Sequence, residues 1–115
     1  MLYHVWCIKD KEGKTKKELK LRLTSRSCVD LETRIGGNPI NELMAMQNGR
    51  LPTTRFIAEN LKAALQKFEH GYDEATVYDL LDEYIDDGGS LMEIVPVLIE
   101  VYKVSGFFKP TEKKK

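Results

Sequence analysis

The sequence predicts an α+β domain, mostly helical, with an N-terminal β-hairpin packed against about five α-helices. Three observations predict it. Two short segments near the start, Leu2 to Ile8 and Glu18 to Thr24, are rich in strand-forming residues or alternate apolar with charged ones. Beyond residue 24, apolar residues recur at helical spacing, in segments that open on a capping residue and close on glycine. A length of 115 residues gives one core and therefore one domain. We expect that domain to span 1–108, with the hairpin over 1–24, the helical part over 25–108, and 109–115 as a flexible basic tail.

Taken in order, Leu2, His4, Trp6 and Ile8 share one face of the first strand, and Tyr3, Val5 and Cys7 the other. Lys9 to Lys17 reads as a polar loop with Gly13 at its tip. The second strand turns Leu19, Leu21 and Leu23 inward and Lys20 and Arg22 outward. Its partner is apolar on both faces. Either helices cover one side and long side chains fold over the other, or part of Tyr3, Val5, Trp6 or Cys7 meets another subunit.

Thr24 or Ser25 caps a short helix through Ile35, with Cys28, Leu31 and Ile35 inward and Gly36–Gly37 at its end. Asn38 and Pro39 restart the chain as a cap and a first-turn proline. The apolar side of that helix is Leu43, Met44 and Met46, and Gly49 closes it. Pro52 and Thr53 open the longest early helix, with Ile57, Leu61, Ala64, Leu65 and Phe68 inward and Gly71 at its end.

The stretch from Lys67 to Phe108 is expected to organise the rest. Asp73 caps a helix whose apolar positions are Val77, Leu80, Leu81, Tyr84 and Ile85, and Gly88 ends it in the left-handed conformation. Ser90 and Glu93 have the spacing of a capping box for the last helix. Pro96 cannot donate to the carbonyl of Met92, so a bend or a separate first turn is expected. Gly106 stops this helix, and Phe107–Phe108 are placed to fold back on the core.

Formal charge is zero, which hides a polarity. Nine acids and no Lys or Arg lie between Asp73 and Glu100, whereas Lys9 to Lys20 holds six lysines and three acids. Asp79, Asp82, Glu83 and Asp86 lie opposite the apolar face of their helix, with Asp87 beside them. The pairs Asp79/Glu83, Asp82/Asp86 and Glu83/Asp87 are four apart, and each such like-charge pair costs about 0.2–0.5 kcal/mol. Asp86 and Asp87 also face the negative end of the helix dipole. Either this is a solvated face, or it docks a basic segment. That segment would be the Lys9–Lys20 loop of a neighbouring subunit or a basic partner, giving head-to-tail association into rings or filaments.

Other classes of function find little footing. His4 and His70 are the two histidines, and neither stands at motif spacing from a nucleophile. The carboxylates lack the spacing of a calcium loop, so no metal or other cofactor is expected. The lysines are not interleaved with aromatics, and the acidic half repels phosphate, so no nucleic acid is expected. Cys7 and Cys28 have no metal or redox spacing and fit a reducing cytosol. No leading signal peptide is evident. The longest apolar run, Ile94 to Ile99, is far shorter than the roughly 20 residues that span a bilayer.

The run FEHGYDEATVYDLLDEYIDDGGSLMEIVPVLIEVYKVSGFF resembles the C-terminal half of the short tail assembly chaperones of tailed, siphovirus-like phages and prophages of Gram-positive bacteria. YDLLDEYIDDGGS and the terminal VSGFF carry most of the likeness, and LETRIGGNPINELM fits more loosely. The resemblance covers roughly residues 24–108. It implies a protein of the host cytoplasm, absent from the mature virion. Such a protein is no enzyme. It coats the hydrophobic tape measure protein, keeps it soluble and self-associates. A longer form made by ribosomal frameshifting would recruit the tail tube protein, and the A-rich codons of the terminal EKKK suit a slippery site. The alternatives are a structural tail or neck component and a non-viral interaction adaptor. A chaperone of this kind needs an adaptable apolar groove. Met44 and Met46 are candidates for it, unless they simply fill the core. The candidate partner-binding residues are thus Tyr3, Val5, Trp6, Met44, Met46, Asp79, Asp82, Glu83, Asp86 and Asp87.

Overall fold

The computed structural model describes residues 2–106. Strands β1 (His4–Lys9) and β2 (Thr15–Leu21) pair antiparallel, and five helices follow: α1 (Ser25–Ile35), α2 (Pro39–Gln47), α3 (Thr54–Leu65), α4 (Glu74–Asp86) and α5 (Ile94–Val104). A single 3₁₀ turn, Leu91–Glu93, precedes α5. The α+β class and the hairpin-plus-five-helices architecture are as the sequence predicts.

The centre of the molecule is α3, which packs against α1, α4, α5 and β2. Nine of its residues are buried, including Phe56, Ile57, Leu61 and Leu65. Ala58, Ala63 and Ala64 are the reason it can be central, since small side chains let neighbouring helices approach on several sides at once. The stretch 67–108 therefore does not organise the chain. Its two helices dock onto α3, through Val77, Leu80 and Leu81 of α4 and Ile94, Leu98, Val101 and Tyr102 of α5.

The strands are displaced from their expected limits. β1 starts at His4, and Leu2 before it is 70% exposed. The loop is short because Asp10 Oδ1 accepts the amides of Glu12 and Lys14, which folds the chain back early. β2 therefore resumes at Thr15 and ends at Leu21. Leu23 lies past the strand yet stays buried, its amide donating to Ser105 Oγ at 2.9 Å. Trp6 stands opposite Leu19 and His4 opposite Leu21, so one face of the hairpin feeds the core. The register breaks between Ile8, which faces Lys17, and Lys9, which faces Thr15. Lys16 is the extra residue, a bulge on β2.

Caps fall where the sequence places them. Thr24 Oγ1 accepts the amide of Ser27, Asn38 Oδ1 that of Ile40, Thr53 Oγ1 that of Phe56 and Asp73 Oδ1 that of Thr76. Helix α3 ends at Leu65, before the expected Gly71, so Phe68 is not a helical core residue. It packs edge-on against Tyr3 with ring centroids 5.3 Å apart. Ile85 is 43% exposed, which cuts the apolar face of α4 short. The first turn before Pro96 is set off as the 3₁₀ turn. There Ser90 Oγ accepts the amide of Met92, and Glu93 Oε1 accepts that of Ser90.

The segment before β1 and the end of α5 meet at one guanidinium. Arg22 Nη1 donates to the carbonyls of Leu2, at 2.9 Å, and Val104, at 3.4 Å. The expected positions of Phe107–Phe108 and of the tail 109–115 fall outside the described residues. No helix among the described residues is long and apolar enough to cross a membrane.

Candidate functional site

The acidic face of α4 would repel itself if it stood alone. The bulge on β2 supplies the countercharge. On a regular strand Lys16 and Lys17 would point to opposite faces; the bulge turns both toward α4. Lys16 Nζ lies 2.6 Å from Glu83 Oε2 and 2.7 Å from Asp87 Oδ2, and Lys17 Nζ lies 3.4 Å from Glu83 Oε1. The hydrogen bonds it donates to Asp87 and then Glu83 raise the Lys16 ammonium above its ordinary value. The bond from Lys16 lowers the Glu83 carboxyl.

The basic segment that meets this face is therefore the chain's own hairpin. Lys16 and Lys17, part of the Lys9–Lys20 segment expected to dock on a neighbour's α4, are engaged with Glu83 and Asp87 of their own chain. Asp79, Asp82 and Asp86 remain exposed, with no ion pair among the described residues. They are the part of the acidic face open to a partner. No group of three His, Cys, Asp or Glu among the described residues is placed to hold a metal ion.

The aromatic candidates divide. Trp6 is 5% exposed and lies against the Tyr84 ring, centroids 5.5 Å apart, so it belongs to the core and offers no surface to another subunit. The reason is register, because Trp6 and Leu19 face each other on the buried side of the hairpin. Tyr3 and Val5 are 39% and 40% exposed. Tyr3 is held by Phe68 on one side, with Lys20 Nζ 5.0 Å from its ring centroid. Among the described residues, Val5 has no ring packed on it.

The methionines divide as well. Two residues apart on a helix are about 200° apart around it, so Met44 and Met46 cannot share a face. Met46 packs against the core and lines an open groove with Ile35, Leu51 and Phe56, about 280 Å³ in volume. Glu42, Arg50 and Arg55 rim it. Leu51, in the loop before α3, is 73% exposed. Met44 is 42% exposed and does not line this groove.

Sequence reasoning missed Leu51 and three polar residues. Lys16 looks like any loop lysine until the bulge places it. Asn60 and Glu59 sit inside α3 at 1% and 3% exposure. Asn60 donates to the carbonyl of Phe56 at 2.7 Å and accepts from the Tyr102 hydroxyl at 2.5 Å. Burial pushes that phenol well above its ordinary value. The available signal was the alanine content of α3, which marks a helix buried on more than one side.

Known proteins add a family and no activity. No curated protein matches the chain, and no solved structure does. A match to the family of unknown function DUF6096 runs over residues 10–115, from the hairpin turn onward, and the chain belongs to that family.

Proposed function

We propose that this protein is a tail assembly chaperone of a tailed phage or prophage, which binds the tape measure protein in the host cytoplasm and leaves before the virion matures. It acts by binding alone, as a self-associating coat on its client, and a frameshifted longer form would bring in the tail tube protein. The likeness of residues 68–108 to such chaperones motivates the reading. The observation that carries it is the groove of Ile35, Met46, Leu51 and Phe56. It is open and lined by these apolar side chains together with charges of both signs, Glu42, Arg50 and Arg55, a mixture that suits an amphipathic helix. Leu51 is too exposed to be explained by the core.

Co-expression tests this. The tape measure protein encoded beside this gene should stay in the soluble fraction when the protein is present and precipitate without it. Leu51→Asp should fold normally and lose the effect. A client that precipitates in both cases, or purified virions that contain this protein, would refute the assignment.

A further inference from the structure

The two edges of the hairpin are not alike. On β2 the amide of Lys20 donates outward to Glu69 Oε2 at 3.0 Å, and that of Arg22 to the carbonyl of Ala64 at 2.9 Å. These bonds fix the phase of the ladder. Lys20 faces Val5, and its amide points away from β1, so the two form a non-hydrogen-bonded pair. Val5 therefore turns its own amide and carbonyl away from β2, and so do Tyr3 and Cys7, two residues to either side. Among the described residues, none of these amides and carbonyls has a hydrogen-bond partner. From Tyr3 to Cys7 the edge also lacks proline, lysine, arginine and carboxylate, the devices that keep an edge strand single.

Such an edge takes one chemical class of partner, an extended main chain. Two observations select a second copy of this chain. On the outer face, the uncharged row Tyr3, Val5 and Cys7 is bordered by Glu18 and Lys20 of β2 on one side only. Antiparallel pairing about a two-fold axis at Val5 sets Val5 against Val5 and Tyr3 against Cys7. The row then becomes the middle of a sheet with charges along both borders, and each Lys9 stays outside the paired stretch. The same register carries Leu2 of the second copy past Ile8. Beside Ile8 the edge opens on a hollow of about 320 Å³, lined in part by Cys7, Lys9, Tyr84, Gly88, Gly89 and Glu93. By alternation Leu2 lies on the face of Trp6 and Ile8, and it is 70% exposed in the single chain. The hollow would cover it.

We propose that the free edge of β1 pairs with the same edge of a second copy, about a two-fold axis at Val5, to build a four-stranded antiparallel sheet. The dimer needs no client and does not rest on the chaperone reading.

Sedimentation of the full chain at about 0.5 M salt tests it, because association through the acidic face is screened there. A monomer–dimer equilibrium should appear, half-associated near about 0.1 mM, as suits a small interface. In the dimer the amides of Val5 and Cys7 should exchange with solvent at least about tenfold more slowly than in the dilute monomer. Val5→Pro removes an outward amide that the hairpin does not use, and should weaken dimerisation by about tenfold or more. Val5→Lys sets two like charges across the axis, should weaken it as much, and serves if the proline variant does not fold. A chain still monomeric at about 1 mM would leave the edge to solvent or to a different polypeptide and overturn the pairing. A dimer that the folded variants leave intact, or one in which Val5 and Cys7 exchange freely, would place the contact elsewhere and overturn it as well.

Discussion

Lys16 shows how one side chain can settle a surface. Its ammonium faces Glu83 and Asp87, and the low value of the Glu83 carboxyl follows first from that bond, with Lys17 adding to it. A carboxyl lowered on folding stabilises the fold above its unfolded value, about 4.3, and that stability is lost as pH falls through the folded value. Melting temperature should therefore fall between about pH 5 and about pH 3, and Glu83→Gln should flatten part of the fall. Circular dichroism melts across that range check it. The flattening is partial because Asp73 and Glu93, which accept amides at helix starts, are lowered too. Tyr102→Phe is the buried counterpart. It leaves Asn60 Oδ1 without the phenol and should reduce unfolding free energy by about 1–3 kcal/mol in urea titrations. The acids of α4 were legible in the sequence because period and charge mark them. Their partner was not, since a bulge depends on where a turn closes, and Asp10 closes this one early.

The joint between α4 and α5 is the most constrained element. Gly88 has φ 99° and takes the left-handed turn that ends α4. Gly89 is required for a different reason. A Cβ there would lie 2.5 Å from the Tyr84 ring. That ring cannot easily move, because it lies against Trp6 and its hydroxyl donates to Glu93 Oε1 at 2.9 Å. The same Glu93 oxygen caps the 3₁₀ turn. Gly89→Ala should thus disturb strand, turn and cap together and destabilise by about 1–3 kcal/mol, with the fluorescence of Trp6, which lies against Tyr84, reporting the shift. Thr24→Ala, at the start of α1, should cost about 0.5–2 kcal/mol, because Thr24 and Ser27 cap each other reciprocally. Both joints could be read from Asp, Ser, Thr, Asn and Gly positions alone. The rank of the helices could not. The capping signals of α4 and α5 are stronger in the sequence than those of α3, yet α3 is the hub, and only three-dimensional packing makes its alanines matter.

At the scale of the whole molecule, the ion pairs of Lys16 and Lys17 with Glu83 and Asp87 reduce the charge polarity that the sequence displays. Under the proposed self-association, the acidic face would act through Asp79, Asp82 and Asp86. Light scattering should show larger species at low salt than at about 0.5 M salt, where charges more than a few ångströms apart are screened. Replacing all three aspartates with asparagine should remove the difference. The aromatic surface is likewise smaller than expected, since Trp6 is interior and Tyr3 is braced by Phe68 and Lys20. Candidate surfaces were legible where exposure follows from polarity, as at Asp79. They were illegible at Leu51, whose apolar character gives no hint that a loop leaves it in water.

The grip of Arg22 on Leu2 and Val104 brings the start of β1 and the end of α5 to one pole. A circular permutant that joins these ends through a short linker and opens the chain at the hairpin tip, near Gly13, should therefore fold. Reporter domains fused directly at Leu2 and at Gly106, in a chain cut back to 2–106, would emerge side by side, so energy transfer between a donor and an acceptor fused there should be high in the native state and collapse on unfolding.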